Sequence, residues 1–86
     1  MLLRQASLAV VQLRFALDAT IDEHAAAWEI DVVCLEGEGT TVIDGVAERI
    51  RAGETIRWPA GKLHRLFTEG STMVSLMVEH LAPTPP

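Results

Sequence analysis

The segment Gly53–His64, reading GETIRWPAGKLH, constrains this chain more than any other stretch. Gly53 and Gly61 reach backbone angles that other residues adopt only with strain. Pro59 locks one φ angle and removes a backbone donor, and it pushes Trp58 before it towards an extended conformation. A helix cannot run through these residues. The spacing G-x5-P-x-G-x2-H instead predicts a bend between two apolar strands, with His64 starting the second.

Similar punctuation recurs along the chain at Asp18, Asp22, Gly37-Glu38-Gly39, Asp44-Gly45, Ala52-Gly53 and Glu69-Gly70. Short segments rich in β-branched and apolar residues lie between these turns, the pattern of an all-β sandwich or barrel. Strands are expected over 7–17, 28–35, 40–43, 46–50, 54–58, 63–68 and 72–78. Asp44-Gly45 between two strand-like runs predicts a type I′ hairpin, because both residues tolerate positive φ. Residues 24–28, HAAAW, have good helix propensity but are too few for a stable helix, so a loop or single turn is expected there.

With 86 residues the chain is the size of one domain, and 49% hydrophobic residues supply a core. A domain this small hides only about 60–65% of its unfolded surface, so pairing with a second copy would add stability. The net charge is −5, and the seven Lys and Arg residues are scattered among carboxylates. That argues against a nucleic-acid partner, which needs several phosphates neutralised together, and against an anionic membrane surface. Gln12 and Arg14 interrupt the apolar N-terminal stretch, which falls short of the ~20 residues that span a bilayer and is expected to be a strand of the domain. A single cysteine, Cys34, cannot form an internal disulfide and fits a reducing, cytoplasmic setting.

The short strands, the glycine-ended run Leu35-Glu36-Gly37, the hairpin and the Gly53–His64 bend together resemble a small single-domain member of the cupin superfamily, of the RmlC-like jelly-roll type. The resemblance implies an all-β jelly-roll barrel over residues 1–82, a disordered proline-rich tail over 83–86, and a homodimer. The family's first motif usually reads H-x-H, three or four residues, Glu, six residues, Gly. Anchored on Gly37, its first histidine falls on His24, its second on Ala26 and its glutamate on Ile30. Thr68 stands where an asparagine often ends the second motif. Two of four usual metal ligands therefore remain as candidates, His24 and His64. Glu29 lies one residue from the glutamate position and would face the opposite side of a strand.

Catalytic metal sites normally use three protein ligands and keep one position open. Cys34 is the inward candidate for a third ligand, since Ile30, Val32 and Cys34 alternate onto the face that the family register turns into the barrel. A thiolate with two imidazoles suits zinc or copper, so the cofactor expectation is none or one divalent metal. Ile56 and Trp58 share a strand face, as do His64 and Leu66. The expected pocket is thus His64, His24, Cys34, Trp58, Ile30, Val32, Ile56 and Leu66. Each has a plainer role to set beside this: His24 as an exposed loop residue, Cys34 as a small buried hydrophobe with an inert thiol, the rest as core. Met73, Met77, Trp28 and Phe67 are expected in the core or an interface, and His80 at the exposed end of the last strand.

The leading functional expectation is a protein binding a small apolar or aromatic metabolite, without efficient metal catalysis. The first alternative is a metal-dependent dioxygenase, isomerase or decarboxylase with His24/His64/Cys34 ligation. The second is a non-catalytic dimeric assembly module. No G-x-S-x-G, CxxC or HExxH motif points elsewhere.

Overall fold

The computed structural model describes residues 3–5 and 8–81. The expected tail over 83–86 lies outside the described residues, as do the side chains of residues 3–5, Asp22 and His24. The described chain is all-β, with strands β1 (Leu3–Gln5), β2 (Leu8–Phe15), β3 (Thr20–Ala25), β4 (Ile30–Ile43), β5 (Val46–Arg51), β6 (Thr55–Trp58), β7 (Leu63–Phe67) and β8 (Met73–His80). All pairings are antiparallel. No helix is long and apolar enough to cross a membrane among these residues.

Strand β4 organises the fold. Where the sequence suggests two strands, one bent strand runs through Gly37-Glu38-Gly39. Its first half pairs with β8 and β6, extending through β2 to β1; its second half pairs with β7 and β5, extending through β7 to β3. The sheet thereby curls on itself as a jelly-roll barrel. The bend has a local cause. Register against β8 slips between Cys34 and Glu36, and Gly37 sits at φ +74°, where a Cβ atom would collide with the Thr72 carbonyl. Only glycine fits there. At the far end of β4, Asp44 and Gly45 take φ of 47° and 83°, as a type I′ turn requires.

The expectation of a loop or turn over residues 24–28 needs correction. Strand β3 extends through Ala25, and only residues 26–29 connect it to β4. Asp22, taken as a turn signal, lies within β3, at an irregularity between Ile21 and His24 in its pairing with β7. Backbone pairing to β7 outweighs the local polarity of Asp22-Glu23-His24, because strand formation depends on its neighbours more than on intrinsic preference.

The inward faces bury Ile30, Val32, Cys34, Trp58, Leu66, Met73 and Met77 in one cluster. Thr68, at the family's asparagine position, is buried too. Its hydroxyl donates to the Ala16 carbonyl (2.6 Å) and accepts from the Ala19 amide (3.0 Å), tying the end of β7 to the β2–β3 turn. On the opposite face of the β2–β8–β4 sheet, strand alternation places Val10, Val78, Leu76 and Val33 next to one another, all half-buried.

Candidate functional site

Each side chain at one end of the barrel is aimed by the strand that carries it. Trp58 closes β6 directly opposite Ile30 of β4. Its ring is buried and stacks on the His64 imidazole, with centroids 4.0 Å apart and planes 19° from parallel. His64 is itself fully buried on β7, directly opposite His24 of β3 in the strand register. His24 is therefore a strand residue and not part of a polar loop. The bend before His64 is anchored on two sides. The Gly61 amide donates to the Ala26 carbonyl (2.9 Å), and the Leu63 amide donates to the Asp44 carboxylate (3.0 Å). The Asp44 amide in turn donates to the Leu63 carbonyl (2.8 Å). Gly61, at φ +76°, gives the chain this sharp approach.

A cavity of about 220 Å³ opens beside the stack, lined by Val11, Leu13, Ile21, Ile30, Trp58, Met77 and Glu79. Its described walls are apolar apart from Glu79. The Trp28 indole N–H lies 3.4 Å from a Glu79 carboxylate oxygen, joining the 26–29 connection to β8 at the mouth. Of the residues expected in a pocket, Ile30 and Trp58 line this cavity, and His64 lies against the Trp58 ring. Val32, Cys34 and Leu66 fall in the packed core, with Ile56 half-buried against it. Sequence reasoning missed Val11, Leu13, Ile21 and Glu79. The alternation of β2 and β8 carried a signal for three of them: Val11 and Leu13 share a face with buried Ala9 and Phe15, and Glu79 continues the inward series Met73, Ser75, Met77.

Three independent traits now coincide: a curled antiparallel sheet, a glycine-forced bend, and a histidine buried after a P-x-G turn. A family model described as "Cupin domain" matches residues 14–79. The chain belongs to the cupin family. Among solved structures, this cupin is similar to a conserved protein of unknown function from Streptococcus pyogenes, at 24% identity and TM-score 0.84, covering 94% of this chain and 70% of the other. A cupin superfamily protein from Desulfitobacterium hafniense aligns at 16% identity and TM-score 0.85, over 93% and 72% of the two chains. A polyketide cyclase from Streptomyces resistomycificus aligns at 26% identity and TM-score 0.79, over 92% of this chain and 58% of the cyclase.

The donors that a cupin metal site would use are sparse in this member. The family's glutamate position is Ile30, buried in the core, and its second histidine position is Ala26, packed against that core. Cys34 is buried, and its thiol lies 3.5 Å from the carbonyls of both Glu36 and Gly37 at the β4 bend. Burial pushes this thiol's pKa up, favouring the protonated form, which is the wrong form for a metal ligand. Among the described residues no three His, Cys, Asp or Glu side chains gather as a metal site. The described donors therefore do not make up a three-ligand centre.

His80 is not simply exposed. Its Nε2 lies 2.9 Å from an Asp31 oxygen, and Arg57 binds the same carboxylate through two nitrogens (2.8 and 3.0 Å). The Arg57 hydrogen bond is the main reason the Asp31 carboxyl sits below its ordinary pKa. Burial opposes the shift, and His80 adds to it. This cluster lies on the outer side of β4, since Asp31 alternates with inward Ile30 and Val32.

Proposed function

We propose that this cupin binds a small apolar or aromatic molecule in the cavity beside the Trp58–His64 stack, and that it does so without efficient metal catalysis. The observation that carries this reading is the cavity itself, whose described walls are apolar except at Glu79 and include the buried Trp58 of the Trp58–His64 stack. An apolar recess with a few polar groups is the usual build of a small-ligand site. Trp58 in the lining supplies an intrinsic optical probe. Titration with single-ring compounds, followed by tryptophan fluorescence, should give saturable quenching that Leu13→Phe, which fills the cavity, abolishes. Metal analysis of protein purified without an affinity tag provides the opposing test. Stoichiometric iron, manganese or zinc, lost on replacing His24 and His64, would overturn the reading.

A second reading is a metal-dependent enzyme of the dioxygenase, isomerase or decarboxylase kind, built on His24 and His64 without Cys34, whose thiol lies against the Glu36 and Gly37 carbonyls. The direct cross-strand pairing of His24 with His64 favours it, and a polyketide cyclase is among the similar structures. His64→Ala would then lower metal occupancy sharply, and unchanged occupancy would remove this reading. The row of half-buried Val10, Val78, Leu76 and Val33 supports a homodimer through that sheet face in either case. Sedimentation as a monomer at micromolar concentration would be incompatible with it. A lone, buried cysteine is in keeping with a reducing cytoplasm.

A further inference from the structure

We infer that the cavity discriminates by charge: its ligand carries a protonated amine on a small ring or aliphatic body, and Glu79 is the residue that selects it. The inference rests on the binding reading above and adds the ligand's polar group. Three observations lead to it.

The first is the composition of the lining. Glu79 is the sole charged side chain among the described lining residues, and the others are Val11, Leu13, Ile21, Ile30, Trp58 and Met77. A carboxylate ligand entering here would meet a like charge with no described cation to offset it. The nearest arginine in sequence to the lining tryptophan, Arg57, points away on the alternate face of β6, where Asp31 and Glu29 hold it.

The second is that Glu79 has capacity left. A carboxylate offers about four acceptor positions, and the Trp28 indole N–H approaches one oxygen at 3.4 Å. That contact steadies the side chain at the mouth without consuming it. A bound ammonium would add charge-assisted hydrogen bonds, which are stronger than neutral ones.

The third is scale and surface. At about 220 Å³ the cavity lies below the roughly 300–1,000 Å³ of sites for drug-sized ligands, so it takes a body of about one ring. Trp58 borders it from a buried position and adds to its apolar wall. Hydrophobic walls and one carboxylate together define a receptor for a compact amine.

The test compares three probes of near-equal size at pH 7: 2-phenylethylamine, 2-phenylethanol and phenylacetate. Affinities are measured by calorimetry on the wild type, Glu79→Gln and Glu48→Gln, the last removing a carboxylate from exposed strand β5. The expected result is the order amine, alcohol, acid, with the amine at least about tenfold tighter than the acid. Glu79→Gln should bring that ratio below about threefold by weakening the amine and strengthening the acid, and Glu48→Gln should preserve the wild-type order. Glu79→Met supplies a second neutral side chain of similar length if the glutamine variant does not fold. A ratio that survives both neutral variants, or is absent in the wild type while the alcohol still binds, overturns the amine inference alone. Failure of all three probes to bind overturns the binding reading and this inference with it.

Discussion

The inward face of β4 carries similar apolar residues at its start and near its central bend, and the two places are built to opposite purposes. Around Cys34 and Gly37 the two sheet halves close on each other. A Cβ on Gly39 would stand 3.0 Å from the Phe67 carbonyl oxygen and 3.1 Å from the Met73 sulfur, and one on Gly37 would overlap the Thr72 carbonyl. Around Ile30 and Trp58, paired across β4 and β6, the inward side chains leave a cavity. Apolar character alone does not distinguish a core from a pocket; how closely the facing chains approach does. At the β4 bend there is no room for a Cβ, whereas at the start of the strand there is room for a small molecule.

Substitutions can break this contrast. Gly37→Ala puts a methyl group into backbone at a positive φ and should have the largest effect, about 4 kcal/mol or more, read from denaturant melts. Gly45→Ala is the control. It also has positive φ but meets nothing within 4 Å, and should cost about 1–2 kcal/mol. Equal losses at the two glycines would refute the tight closure at Gly37. Next in size, Leu66→Ala in the closed end should cost about 3 kcal/mol, whereas Leu13→Ala, which only widens an existing cavity, should cost about 1 kcal/mol. Similar values would mean that the cavity end is as tightly packed as the core.

Thr68→Val keeps shape but removes a hydroxyl with two partners and leaves the Ala19 amide without its acceptor. A loss of about 1–2 kcal/mol is expected, with the cavity unchanged. Probe binding by this variant should match the wild type, which separates anchoring of the fold from ligand recognition.

The smallest effects lie in the pH profile, and they have opposite signs at two residues of the first half of β4. Asp31 has a folded pKa below its ordinary 3.8, chiefly through Arg57. Its stabilisation is therefore present above pH 3.8 and lost as pH falls through the lower folded value. Cys34 has a folded pKa above its ordinary 9.0 because of burial. Its contribution is present below pH 9.0 and lost as pH rises beyond it. Asp31→Asn should flatten the acid limb of a stability–pH curve, and Cys34→Ser the alkaline limb. An acid limb unaltered by Asp31→Asn would show that the Arg57–Asp31–His80 cluster adds nothing to the fold.

Features made by neighbours in the chain were legible beforehand. The Asp44-Gly45 turn, the bend before His64, and the inward alternation of Ile30, Val32 and Cys34 all follow from residues within a few positions of one another. Strand β3 was not legible, because Asp22-Glu23-His24 becomes a strand only when β7 offers its backbone. The cavity was half legible. Ile30 and Trp58 followed from alternation and the family register, but Val11, Leu13, Ile21 and Glu79 come from three further strands, and their meeting depends on register. Thr68 was legible only as a departure from the family's asparagine, and its hold on the β2–β3 turn depends on residues about fifty positions away.

By itself, the sequence determined that the chain is all-β, where it must turn, and which residues face inward, because backbone sterics and period-two burial are local; its cupin membership rests on the likeness of its motifs to the family. The tertiary structure decided what those inward residues do. The glycine-forced bend of β4 packs Cys34 against carbonyls at one end and sets Trp58 on His64 beside an open recess at the other, and distances between strands are set only when the whole sheet closes.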